Sequence, residues 1–215
     1  MSGSSEDDYA QAGFDGKLEL GKHPVLLIVD PATAYVDPTC PLFAGVEALA
    51  VAEEILRLRR KAERFGIPIF VTRVAHDSAQ MGGVFAKKVP SLKWLQASSP
   101  FSAYIDGLSP GTSATEVTKQ YASAFAGTSL ASTLTALGCD TVVVTGFSTS
   151  GCIRATATDA MQGGFVPVIG RAAVGDRLPA VHEANLFDMQ AKVGEVVEST
   201  IILSLFKETA QWPSL

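Results

Sequence analysis

The chain has 215 residues, 47% of them hydrophobic and 18% charged, with a net charge of −5. That is the make-up of one globular domain, and the acidic balance excludes nucleic-acid binding through phosphate neutralisation. No apolar run approaches the ~18 residues needed to span a bilayer, and three widely spaced cysteines, an odd number, argue for a reducing, cytoplasmic setting rather than a disulfide framework.

In chain order, "MSGSSEDDYAQAGFDG" is polar and acidic and lacks the charged-then-apolar layout of a signal peptide. Residues 1–20 are therefore expected as a flexible segment ahead of a domain over 21–215. "PVLLIVD" (Pro24–Asp30) is continuously apolar, as in a strand buried on both faces. Gly45–Gly66 has helical spacing and a glycine stop, with "RLRRKAER" as its wet face. "IPIFVTR" reads as a second buried strand. Residues from about His76 to Gly111 show no clear period and are expected as a long excursion, with short helices around Val84–Val89 and Ser91–Leu95. Long loops in compact domains are often functional.

"TEVTKQ" reads as a short strand, "TSLASTLTALG" as a helix and "DTVVVTG" as a buried strand. "CIRATATDAMQGG" reads as a helix, "FVPVIG" as a strand and "PAVHEANLFDMQAKVG" as a helix, and "TIILSLF" closes the chain as strand or helix. Strands alternating with helices predict a single-domain, three-layer α/β/α fold around a mainly parallel, doubly wound sheet. There is no internal repeat, no G-x-G-x-x-G after the first strand and no Walker A motif.

In open α/β sheets, sites form at the carboxyl ends of the strands. Asp30 ends the first strand, Lys119 follows the "TEV" strand and Cys152 follows "DTVVVTG". A cysteine at a helix start is set up as a nucleophile, because the amides there favour a thiolate and can donate to an oxyanion. Gly151 allows close approach of the backbone. The alternative for Cys152 is a small buried apolar residue, for Asp30 a cap on the turn into "PATAYVDP", and for Lys119 a surface lysine. The set carries more weight than its members, since a cysteine beside a carboxylate and a cation has a base and a charge partner.

On "LLIVD", "TKQYASAFAGTSL" and "VVVTGFSTSGCIRATATDAMQGGFVPVI" the chain resembles the isochorismatase-like cysteine hydrolases over about Gly21–Leu205. "KVP", "SGCIRATATDAM" and "VGDR" make it most similar to the branch of N-carbamoylsarcosine amidase and maleamate amidohydrolase. The resemblance implies a catalytic triad of Asp30, Lys119 and Cys152. It also implies a cis peptide before Ser148, an oxyanion hole from the Ser148 and Cys152 amides, and a carboxylate held by Arg177. The alternative for Arg177 is an ion pair with Asp176 or Glu183. Phe147 stands where a small residue is expected, so its ring either crowds the pocket or packs behind it. Tyr35, Phe43, Trp94, Phe125 and Phe147 are candidate pocket walls, and Trp94 projects either over its own site or toward a neighbouring subunit.

The implied activity is hydrolysis of a C–N bond in a small carboxylate-bearing amide or N-carbamoyl compound, through a thioester, with release of ammonia. No cofactor is expected. No metal is expected either, since "RVAHDS" offers His76 and Asp77 but no further histidine nearby. The expected partners are a small-molecule substrate and copies of the same chain, as a dimer or tetramer, with no nucleic acid and no membrane. Two other readings are a vinyl ether hydrolase of the isochorismatase type and a catalytically silent member that binds a ligand or senses redox state through Cys152.

Overall fold

A computed structural model describes residues 5–76 and 80–209. Its sheet has six strands, β1 (Pro24–Val29), β2 (Ile69–Val74), β3 (Thr115–Lys119), β4 (Thr141–Phe147), β5 (Val166–Gly175) and β6 (Glu195–Val197). They lie in the order β3-β2-β1-β4-β5-β6, and every pairing is parallel. The winding reverses between β1 and β4, and this opens a crevice at the carboxyl ends of those strands.

The apolar runs are continuous because both faces of the sheet are covered. Along β1, Leu26 and Ile28 point into one core while Val25, Leu27 and Val29 point into the other, the two-residue alternation of an extended chain. The first core is closed by α2 (Ala48–Phe65), which ends on left-handed Gly66, and by α7 (Ser199–Glu208). The second core is closed by α4 (Leu130–Ala136), α5 (Arg154–Gln162) and α6 (Pro179–Lys192). The three-layer expectation holds, and the closing "TIILSLF" run is helical. β6 was not anticipated, since three half-buried residues at a sheet edge carry no readable period.

Two features of the sheet shape the site. β5 runs on to Gly175, past the expected Gly170, because a register shift opposite Val144–Gly146 lets it bulge and resume pairing as Phe147↔Gly175. At Gly146 φ is +115°, and a Cβ there would collide with the Val29 carbonyl. Only glycine lets β4 lie this close to β1 just before the turn that carries Cys152.

Residues 5–20, inside the segment expected as a flexible leader, pack against the domain. They carry helix α1 (Ser5–Gln11), and the Tyr9 ring meets Phe187 of α6 edge-on at 4.9 Å, with the Lys192 ammonium 5.0 Å above it. The Asp15 amide donates to Ala191 O at 3.0 Å and the Leu18 amide to Glu195 at 2.8 Å. The aromatic residues inside an acidic stretch were the signal, and a polar average hid them. Among the described residues, no helix is long and apolar enough to cross a membrane.

Candidate active site

Asp30 directly follows β1 and has φ +48°. This left-handed conformation is uncommon outside glycine and tends to persist where surrounding contacts enforce it. Here Thr72 of β2 does so. It accepts from the Asp30 amide at 3.0 Å, and its hydroxyl donates to Asp30 Oδ1 at 2.6 Å. Thr72 was missed in the sequence, although a threonine inside the apolar "IFVTR" strand was the available signal.

Lys119 is the last residue of β3 and is 1% exposed, so the surface-lysine alternative is excluded. Its Nζ lies 2.8 Å from Asp30 Oδ2 and 3.4 Å from Cys152 Sγ, and donates to the carbonyls of Tyr121 (3.1 Å) and Ala122 (2.9 Å). Burial works against the charge on Lys119, but Asp30 and Cys152 beside it outweigh that and hold the ammonium above the ordinary lysine range. β3 is two strands from β1, and the long lysine stem spans the gap.

After β4 the chain makes a cis peptide between Phe147 and Ser148, then a π-helical turn over Thr149–Ile153 that feeds α5. Cys152 therefore sits within a wider turn instead of opening a regular helix. The amides of Gly151 and Ile153 fold back onto Ser148 O at 3.0 and 3.1 Å. A Cβ at 151 would lie 2.8 Å from Ser148 Oγ, so a side chain there would require that hydroxyl to turn away.

The environment of Cys152 corrects the expectation of a lowered thiol pKa. Burial, with the charge of Asp30 nearby, pushes the thiol up to about 12 despite the opposing pull of Lys119. Desolvation penalises the thiolate, and most of the Lys119 charge is already matched by Asp30. The Cys152 side chain thus rests as a neutral thiol, a poor target for oxidants. The folded thiol holds its proton more tightly than the unfolded one, so the stability it contributes is intact below pH 9 and is lost as pH rises toward about 12. Alkylation of Cys152 by neutral iodoacetamide, mapped by mass spectrometry, is expected to be slow at pH 7 and to rise only in the same alkaline range. Rapid modification at pH 7 would contradict this electrostatic picture.

Above the thiol lies a cavity of about 220 Å³. Ser148, Gly151 and Cys152 line its polar side, with Asp176 and Arg177 from the end of β5, and Tyr35, Leu42, Phe85, Val89, Leu92 and Leu95 supply apolar walls. Helix α3 (Gly83–Lys88) and a 3-10 turn over Pro90–Leu95 bring the last four of these from the excursion that the sequence left without a clear role.

Two proposed contact residues lie elsewhere. Residues three apart eclipse on a 3-10 turn, so Leu92 and Leu95 share the face toward the cavity. Trp94 instead packs edge-on against Phe101 at 5.7 Å. Phe147 is fully buried behind the cavity and stacks on Tyr35 at 5.1 Å. Gly175 makes room for it, since a Cβ at that position would come within 2.8 Å of the Phe147 ring. Of the other candidate walls, Phe43 packs into the first core and Phe125 stacks on Phe165 at 6.0 Å. Arg177 does reach the rim, where its Nη2 donates to Pro41 O at 2.6 Å rather than to an acidic side chain. His76 is engaged by Gln96 and by the Gln120 carbonyl, and Asp77 lies outside the described residues. Among the described residues, no three His, Cys, Asp or Glu side chains group as a metal ion would require.

Residues 24–201 match the family described as the isochorismatase domain. A maleamate amidohydrolase from Pseudomonas putida is 41% identical over 197 residues, covering 90% of this chain and 91% of the relative. An N-carbamoylsarcosine amidase from an Arthrobacter species is 34% identical over 202 residues, covering 89% of this chain and 74% of the relative. A crystal structure of an isochorismatase family protein from Desulfovibrio vulgaris superposes with a TM-score of 0.77 at 29% identity, covering 87% of this chain and all of that one. The chain belongs to the isochorismatase family, among relatives named for the hydrolysis of C–N amide bonds.

Proposed function

We propose that this hydrolase cleaves the C–N bond of a small carboxylate-bearing amide or N-carbamoyl compound by attack of Cys152, releasing ammonia through a thioester. The observation that carries this reading is the contact of Cys152 Sγ with Lys119 Nζ, itself ion-paired to Asp30, at the wall of a small cavity with an arginine at its rim.

A thiol held near pKa 12 attacks only if its proton leaves as the bond forms, so Asp30 is assigned as general base. The electron pair of Sγ forms the C–S bond while the carbonyl π pair moves onto oxygen. The amides of Ser148 and Cys152, with the Lys119 charge nearby, are assigned to stabilise that oxyanion. As the oxyanion collapses the C–N bond breaks, and protonated Asp30 returns its proton to the leaving nitrogen, giving ammonia. Asp30 then takes a proton from water, whose oxygen attacks the thioester carbon. The thiol leaves with the proton that Asp30 holds, and the carboxylic or carbamic acid that remains loses its own proton to solvent. Tyr35 is assigned as an apolar wall. Arg177 is assigned to hold the substrate carboxylate, for which a planar guanidinium offers paired donors.

The test is ammonia release from maleamate, N-carbamoylsarcosine, other N-carbamoyl amino acids, ureidoacrylate, nicotinamide and biuret. Turnover of a carboxylate-bearing member is expected, with a loss of roughly 10⁴-fold or more in Cys152→Ala. Full activity in the variant would refute the covalent mechanism, and turnover of nicotinamide alone would refute the role of Arg177.

A further inference from the structure

Asp176 raises an electrostatic puzzle. It sits in the same cavity wall as Arg177, and an acid beside the cation assigned to grip an acid should weaken that grip. Its oxygens show how the fold resolves this. Oδ2 accepts from the Ser150 amide at 2.7 Å and Oδ1 from the Arg177 amide at 2.8 Å. One bond reaches into the turn that carries Cys152 and the other into the backbone of the arginine itself. Each carboxylate oxygen is thus engaged by a backbone donor, and charge-assisted bonds of this length are the strong kind.

From this bridge we infer that Asp176 is a positioning residue that sets the distance between the carboxylate-gripping Arg177 and the Cys152 nucleophile. The inference rests on the proposed role of Arg177. The bulge in β5 makes the bridge available. By pairing Gly175 with Phe147 it brings the next residue, Asp176, level with Ser148 and within reach of the turn. The turn has independent supports, since Thr149 Oγ1 meets His182 Nδ1 at 2.9 Å and Ser148 O takes two amides. Arg177 has one further hold, on Pro41 O. Losing the bridge should therefore shift the two ends of the substrate relative to each other without dismantling the turn.

The experiment compares a carboxylate-bearing substrate with its neutral methyl ester in wild type, Asp176→Asn, Arg177→Gln and the double variant, each checked by thermal unfolding. Asparagine keeps one acceptor but turns an NH₂ group toward an amide donor, so it breaks one strut at little change in volume. The expected result is a fall of roughly 10- to 100-fold in kcat/KM for the acid, carried partly by kcat, because a misplaced reacting end costs rate as well as binding. The ester should lose far less. The two variants should be non-additive, with Asp176→Asn adding little once Arg177 is gone.

Equal losses on acid and ester would overturn the inference, leaving Asp176 as a brace for the nucleophile turn alone. A lower KM for the acid would also overturn it, by showing simple repulsion, and so would unchanged kinetics. Wild type without a preference for the acid would remove the role of Arg177 and this inference with it, before any variant is read. Should Asp176→Asn fail to fold, Asp176→Ala, which places no donor against a donor, replaces it.

Discussion

Lys119→Met is expected to lower the unfolding free energy by about 3–5 kcal/mol and to abolish turnover, with chemical denaturation and ammonia release as the two measurements. The ammonium and the Asp30 carboxylate are both almost fully sealed from water, 2.8 Å apart. Removing one partner leaves the other charge without its match in a low-dielectric site, and that penalty is larger than the net worth of the pair itself. Asp30 would keep only the Thr72 hydroxyl and its place beside an uncharged thiol. The double variant Asp30→Asn/Lys119→Met should recover much of the stability while staying inactive, because no unmatched charge is left inside. If Lys119→Met were as stable as wild type, the ammonium would not be sealed in the core as described.

Asp30→Asn is expected to move two measurements in opposite directions. Hydrolysis should fall roughly 10³- to 10⁴-fold, since the general-base and general-acid steps assigned to Asp30 in the proposed mechanism are both lost. Alkylation of Cys152 should become faster. Asp30 is one of the groups that raise the thiol, and Lys119 is the group that lowers it. Neutralising the carboxylate leaves the ammonium to stabilise the thiolate, so the nucleophile becomes easier to ionise while the proton shuttle is gone. A parallel fall in both rates would mean that Asp30 only holds the site together. A rise in both would mean that thiolate formation limits hydrolysis and that no proton shuttle is needed.

Phe147 shows how far one chain position can be read in advance. An aromatic residue at the mouth of the Cys152 turn has two meanings in one dimension, pocket or packing. Gly175, twenty-eight residues later, decides between them by opening the space that the ring fills. Trp94 is similar, because its direction depends on the turn being 3-10 over Pro90–Leu95. The apolar lining from Phe85 to Leu95 was unreadable because it comes from short turns whose neighbours are distant in sequence.

The local pattern of residues was enough to determine the alternation of strands and helices and the doubly wound class, and to single out Asp30, Lys119 and Cys152 as the candidate set that the proposed mechanism uses. Apolar continuity, glycine stops and residue chemistry at strand ends are properties of short segments. Tertiary structure alone decided how Cys152 and Lys119 are charged. The thiol is neutral and the lysine firmly protonated because burial and mutual distance set their ionisation, and neither quantity exists until β1, β3 and the turn after β4 meet. The same holds for Asp176, whose two amide contacts join segments twenty-six residues apart. Such contacts are set by a strand bulge and a shared cavity wall, which sequence spacing does not encode.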